Sequence, residues 1–150
     1  MYTFVYVFSG RIKKKMNKEL TNPLPYILAG KAMFTVQNIE TDNRYTYKVY
    51  ESKRTKNMFI VNVLYQHKYR YIGIIKNNQY LYSKKCELSA NCIEIKGFSY
   101  IFHRIVDNTL PEVYKIYHSG KCGRCGRTLT TPESLESGFG SECIKKIKAL

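Results

Sequence analysis

Acidic side chains are scarce in this sequence. It has 11 aspartates and glutamates against 25 lysines and arginines in 150 residues, a formal net charge of +14 at pH 7. Hydrolytic catalysis needs a paired acid and base, or a nucleophile beside a base, and the few carboxylates here are scattered. No P-loop and no dinucleotide-binding fingerprint occurs. We therefore expect a protein that is not an enzyme, with nuclease activity as the alternative because sparse carboxylates can meet in space.

A long apolar run and a secretory signal are also missing. The opening segment MYTFVYVFSG is apolar but too short to span a bilayer, and the charges of RIKKK follow it rather than precede it. We expect no membrane partner and a reducing cytoplasm. Met16 opens a segment typical of a natural protein start, so residues 1–15 are interpreted as an N-terminal extension. An ordinary edge strand from Tyr2 to Phe8 is the alternative.

Cysteine is limited to five residues, an odd number that excludes complete internal disulfide pairing. In a reducing compartment, closely spaced cysteines are typical metal ligands. Cys122 and Cys125 form a C-x-x-C pair, and Gly123 and Gly126 permit the sharp turn that lets two thiolates face one ion. The rival interpretations are simple buried thiols and a redox pair. A redox pair should open a helix within a βαβ unit, and no such unit is predicted.

Two further residues complete a tetrahedral set. His118 lies four residues before Cys122, and Cys143 follows a short insert. Three thiolates with one imidazole are typical of structural zinc, with no position open for water. The predicted ligands of one structural Zn²⁺ are His118, Cys122, Cys125 and Cys143. The alternatives for the position of His118 are His103, Cys86 and Cys92.

The insert and the end of the chain predict two short helices. Thr131 is a predicted N-cap with Pro132 at the first helical position, and Gly138 ends that helix. A second helix is predicted to begin near Ser141, which places Cys143 in its first turn. A knuckle followed by such a helix is typical of a treble-clef or zinc-ribbon-like module, although helices of that kind usually supply two ligands.

The rest of the sequence predicts an α+β body. Alternating apolar and polar residues predict an antiparallel meander, and apolar residues at helical spacing predict one helix with Ser89 as its N-cap. The predicted strands comprise residues 31–38, 45–50, 58–65, 69–76 and 79–83, and the helix comprises 89–106. We expect an antiparallel β-sheet with one packed helix at 16–110, followed by the zinc-binding module at 111–150.

The stretch YHSGKCGRCGRTLTTPESLESGFGSEC resembles the C-terminal signature of an uncharacterised family of small phage and prophage proteins. In that family a similar H-x-x-x-C-G-x-C-G-R-x-L-T-x-P-E-S run precedes a G-[IF]-G-x-x-C ending. Upstream segments similar to GKAMFTVQN, RYTYKV and YIGII extend the resemblance to about Gly30. Ser141 departs from the usual proline. The resemblance implies the same four ligands, a phage or mobile-element origin, and hence the cytoplasm of a bacterial host, but no activity.

The positive charge favours polyanionic partners, with compositional drift towards Lys, Asn, Ile and Tyr as the alternative. One hypothesis is a protein that binds nucleic acid, RNA or DNA, or a nucleoprotein. The other is a host-takeover inhibitor, similar to an anti-CRISPR protein, that binds a bacterial CRISPR nuclease complex. Basic residues near the cysteines can contact phosphates, and sheet tyrosines can stack on unpaired bases unless they serve as cross-strand pairs and core. The predicted binding residues are Lys121, Arg124, Arg127, Lys145, Lys146, Arg44, Lys68, Tyr69, Arg70 and Tyr71.

Overall fold

The structure, a computed structural model, describes residues 18–148; the predicted extension at 1–15, with its alternative strand, lies outside this range. Five strands follow one another between residues 31 and 81, and the helices lie before and after them. The strands are β1 Lys18–Glu19, β2 Lys31–Asn38, β3 Arg44–Glu51, β4 Met58–Tyr65, β5 Lys68–Lys76, β6 Gln79–Leu81 and β7 Tyr114–His118. The helices are α1 Pro23–Ile27, α2 Ile93–Val106, α3 Pro132–Ser137 and α4 Ser141–Lys148.

The strands form a seven-stranded sheet in the order β1-β7-β2-β3-β4-β5-β6. Every neighbouring pair is antiparallel. From β2 to β6 the chain runs as a meander, as the alternating pattern predicts, and β2 and β4 have the predicted bounds. The predicted α+β class is confirmed.

Two-residue hairpin turns join β4 to β5 and β5 to β6. Gln66 and His67 have φ of 53° and 68°, and Asn77 and Asn78 have φ of 53° and 59°. Positive φ at both central residues is the turn geometry whose twist matches that of the flanking strands. Asparagine tolerates this conformation better than most residues, which explains the NN pair.

Helix α2 packs on one face of the sheet through an apolar stripe. Phe98 is 2% exposed, and its ring centroid lies 4.9 Å from that of Tyr47 and 5.2 Å from that of Tyr80. The Tyr47 hydroxyl donates to the Glu94 carbonyl at 2.9 Å, so its polar end is satisfied inside the core. Burial of this helix face closes the main core.

The predicted start of α2 at Ser89 is wrong, because the helix begins at Ile93 with Cys92 in the N-cap position. Ser89 forms a turn of its own: its side chain accepts from the Asn91 N–H at 3.1 Å and its carbonyl accepts from the Cys92 N–H at 3.0 Å. Such local side-chain bonds compete with the first helical turn.

Strand β7 was not predicted, and it lies inside the sheet between β1 and β2. Ile116 in β7 is buried, and its partner Val36 in β2 belongs to the same core. The predicted boundary at residue 110 stays a prediction, but the segment that follows it supplies a sheet strand. None of the helices between residues 18 and 148 has the length and apolar character that crossing a bilayer requires.

Candidate metal centre and the adjoining basic face

The C-x-x-C pair lies at the tip of a small hairpin. Lys121 and Thr128 form an antiparallel bridge, and the Cys122 N–H donates to the Arg127 carbonyl at 2.8 Å. The Gly126 N–H then donates to the Cys122 carbonyl at 2.9 Å, with φ of +81° at Gly126. Glycine adopts this left-handed conformation without steric cost, so the turn can bring both thiols to one side.

Backbone N–H groups surround the Cys122 sulfur. Those of Arg124, Cys125 and Gly140 each lie 3.4 Å from it. Burial raises the pKa of the Cys122 thiol, but these donors favour the thiolate, so that the pKa falls to about 7. The site thus favours the ionised sulfur that metal binding requires.

Cys143 is brought to the pair by two short helices. The Thr131 side chain accepts from the Ser134 N–H at 3.1 Å to cap α3, and Gly138 ends α3 with φ of 84°, both as predicted. Helix α4 then begins at Ser141, which places Cys143 in its first turn. The Arg124 guanidinium approaches the Cys143 sulfur at 3.7 Å. Burial raises the pKa of Cys143, and this guanidinium acts in the opposite direction.

The three sulfurs of Cys122, Cys125 and Cys143 lie within 4.8 Å of one another. Thiolates that share one zinc, each at about 2.3 Å, are spaced at about 4 Å, so the group fits a metal ion. Cys122 and Cys143 are buried, and Cys125 is the most accessible of the three. The cluster, with its knuckle and following helix, fits a zinc-ribbon-like module.

The structure does not place His118 in this group. Its ring is fully buried, Nδ1 accepts from the Gly120 N–H at 3.0 Å, and Nε2 lies 2.6 Å from the Leu135 carbonyl oxygen. Burial lowers the pKa of His118, which keeps the imidazole neutral. The three alternatives to His118 are not in the group either. His103 accepts from the Tyr80 N–H at 3.3 Å, Cys86 lies 4.0 Å from the Ser83 hydroxyl, and Cys92 is at the N-cap position of α2.

Tyr26 connects this module to the sheet, a role that the sequence patterns did not predict. Its hydroxyl donates to the Lys121 carbonyl at 2.9 Å, and its ring centroid lies 5.6 Å from that of His118 and 5.9 Å from that of Phe139. Burial raises the pKa of Tyr26 well above the usual value. A Cβ built on Gly123 would lie 2.6 Å from the ring. The glycines around the cysteines could therefore have indicated that another side chain packs closely against this turn.

A depression of about 430 Å³ lies where the knuckle meets the sheet face opposite α2. Lys31 and Met33 of β2, Lys48 and Tyr50 of β3, and Lys121 line it. Lys48 lies opposite Met33 in the ladder, so these strand residues share one face. The Lys31 N–H donates to the Gly123 carbonyl at 2.7 Å, which fixes the knuckle beside this face. We call these five residues the basic face.

The structure distributes the other predicted binding residues unevenly. Tyr69 and Tyr71 lie opposite Leu64 and Asn62, on the same side of the sheet as Lys48, whose Nζ is 4.1 Å from the Tyr69 ring centroid. Arg70 lies opposite the buried Val63, so it lies on the side of α2 and apart from these tyrosines.

The remaining predicted basic residues do not line the depression. Arg44 pairs with Asp42 at 3.2 Å, six residues along the β2–β3 ladder from the partner of Lys31. Lys145 pairs with Glu142 at 3.9 Å. Lys68, Arg127 and Lys146 are exposed, and none of them takes part in an ion pair with another residue between 18 and 148.

A family of unknown function, DUF6011, matches residues 116–148, from the middle of β7 to the end of α4. The match covers the three cysteines and leaves most of the sheet outside it. No curated protein and no solved structure matches the chain. The resemblance to an uncharacterised family is therefore supported for the cysteine module.

Proposed function

We propose that the protein is a non-enzymatic, zinc-binding protein that binds single-stranded nucleic acid, RNA above all, across the basic face. The observation that carries the proposal is the convergence of three lysines on one depression. Lys31 and Lys48 come from the sheet and Lys121 comes from the knuckle. Phosphate contacts of this kind supply most of the affinity in binding that is independent of sequence.

The charges of these lysines are available to a ligand. None of the ion pairs within residues 18–148 involves Lys31, Lys48 or Lys121. Among the residues that the structure describes, Lys121 Nζ donates to a neutral hydroxyl, that of Thr128, at 3.2 Å. Phosphate can therefore approach without displacing a carboxylate from the three lysines.

Aromatic side chains accompany the lysines. Tyr50 is 37% exposed at the depression, and Tyr69 and Tyr71 continue the same side of the sheet. Stacking of a base on an aromatic ring is worth about 1–3 kcal/mol and needs an unpaired base. This combination favours single strands over duplexes.

We assign zinc to the cysteine cluster because three thiolates suit a borderline-soft ion that is commonly bound by sulfur. The metal stabilises the knuckle that carries Lys121. Elemental analysis of natively purified protein should find one zinc per chain, and protein without bound metal would contradict this assignment.

The decisive binding test is a filter-binding titration on RNA, single-stranded DNA and duplex DNA at several salt concentrations. Replacing Lys31, Lys48 and Lys121 together with Ala should reduce the slope of log affinity against log salt by about 2, since each contact with a single strand contributes about 0.7. The matched control replaces the exposed Lys84, Lys85 and Lys96, which removes the same charge. It should leave most of the slope intact.

Two outcomes would contradict the proposal. One is the absence of binding to all three nucleic acids at low salt, and the other is an equal loss of slope in both triple variants. Recovery of one stoichiometric host protein from nuclease-treated lysate would instead favour the host-takeover hypothesis.

A further inference from the structure

Both nitrogens of the His118 ring are already used in hydrogen bonds. The Gly120 N–H donates to Nδ1, so Nδ1 carries no proton. The Leu135 carbonyl oxygen can only accept, so Nε2 carries the proton and donates to it. A neutral imidazole has one basic lone pair, and here the Gly120 N–H occupies it. No lone pair is left for a metal.

The chain offers no replacement for the imidazole. All of its His, Cys, Asp and Glu residues lie between residues 18 and 148, because residues 1–17 and 149–150 contain none of these types. Within that range the cluster of candidate ligands contains Cys122, Cys125 and Cys143 and no fourth side chain of these types.

We propose that the metal is held by three thiolates and that its fourth position is open to a donor from outside the chain. His118 is a positioning residue that ties the end of β7 to α3, through Gly120 and Leu135. The inference rests on the zinc binding proposed above and is independent of nucleic-acid binding.

The surroundings indicate which donor the open position takes. Cys125 is the most accessible member of the cluster, so a ligand can approach from its side. The Arg124 guanidinium lies 3.7 Å from the Cys143 sulfur. Two further basic residues, Lys121 and Arg127, each lie three residues from Arg124 in the sequence. This positive environment and the softness of a thiolate-bound zinc favour a small anionic sulfur ligand over a neutral one. Without such a ligand, solvent fills the position.

A hydrolytic role for the open position is disfavoured because the cluster of candidate ligands includes no carboxylate that could act as a general base. Activation of bound solvent is commonly assisted by a positioned general base. Glu136 pairs with Lys18 at 3.1 Å and Glu142 pairs with Lys145 at 3.9 Å, and both carboxylates are largely exposed. The position is therefore assigned to ligand binding.

X-ray absorption at the zinc edge of wild-type protein tests the donor set without any substitution. We expect three sulfurs at about 2.3 Å, one oxygen at about 2.0 Å and no imidazole scattering. Imidazole scattering, or four sulfurs in freshly purified protein free of added thiol, would overturn the proposal. Absence of zinc would remove the metal assignment itself, and with it this inference.

Cobalt substitution tests the same position by its response to a ligand. Adding 2-mercaptoethanol to the Co²⁺-loaded protein should raise the thiolate-to-cobalt charge-transfer band by about a third, since a fourth thiolate joins three. The His118→Gln variant should keep the wild-type cobalt spectrum, whereas Cys125→Ser should change it. The proposal of an open position would be contradicted if the wild-type spectrum did not change when the thiol is added. It would also be contradicted if a folded His118→Gln protein lost the wild-type spectrum.

Discussion

The sheet body and the cysteine module are stabilised in different ways. In the body, nearly every strand and α2 contribute buried apolar side chains to one core. Between Gly120 and Lys148 this core receives two cysteines with Leu129 and Phe139 as its buried hydrophobic residues. The module is instead defined by N–H groups around a sulfur, a helix cap and close packing of glycines on Tyr26. We therefore expect that apolar burial stabilises the body without a metal, and that the module depends on the proposed zinc.

The largest effect is expected from damage to the body. Phe98→Ala removes a ring that contacts Tyr47, Tyr80 and Phe102 in the centre of the core. It should lower the free energy of unfolding by about 3–5 kcal/mol, because it loses buried area and leaves a cavity. Denaturant unfolding followed by circular dichroism measures this loss.

The control for Phe98 lies on the same helix. Ile93 is 61% exposed, so Ile93→Ala should change the unfolding free energy by less than about 0.5 kcal/mol. Equal losses in the two variants would show that the α2 contact with the sheet is not the main core.

Removal of one thiolate should separate the two regions. Cys125→Ser should weaken zinc binding by more than about 100-fold, since even the loss of outer-shell partners costs 10–100-fold. The module should loosen while the sheet persists. Competition with a chelator gives the affinity, and hydrogen exchange reports on each region.

Cys86 provides the matched control for this change. It is a free cysteine outside the cluster, so Cys86→Ser should retain zinc. If Cys125→Ser unfolds the sheet as completely as the module, the proposed independence of the body is wrong.

A smaller effect is expected where the two regions touch. A Cβ at Gly123 would lie 2.6 Å from the Tyr26 ring, whereas a Cβ at Gly140 meets nothing within 4 Å. Gly123→Ala should therefore cost about 1–3 kcal/mol through overpacking. Gly140→Ala keeps its N–H for the Cys122 sulfur and should be close to neutral. Thermal unfolding of the two variants measures the difference, and equal melting temperatures would argue against the Tyr26 contact.

Local patterns predicted much of the body because they act over short distances. The alternation in KAMFTVQN and MFIVNVLY gave the bounds of β2 and β4, and Thr131, Pro132 and Gly138 marked both ends of α3. Strand β7 was missed because its five residues pair with β2 across a long sequence separation. Nothing local indicates such pairing.

The site also has a part that local sequence patterns predicted and a part that depends on contacts between distant residues. The spacing of Cys122, Cys125 and Cys143 predicted a cluster, and the structure brings these three sulfurs together. The role of His118 depends on contacts with Gly120 and Leu135, and the second of these is remote in sequence. The depression depends on β2, β3 and the knuckle meeting, which strand alternation does not predict.

The most direct test of the account is the RNA affinity of the protein before and after removal of zinc, at one low salt concentration. Lys31 and Lys48 stay on the sheet, but Lys121 lies on the knuckle, which we propose is organised by the metal. We predict that metal removal weakens binding by about tenfold, equivalent to about 1.4 kcal/mol, while circular dichroism shows that the sheet is retained. An unchanged RNA affinity in metal-free protein with an intact sheet would contradict a binding surface shared by the two regions.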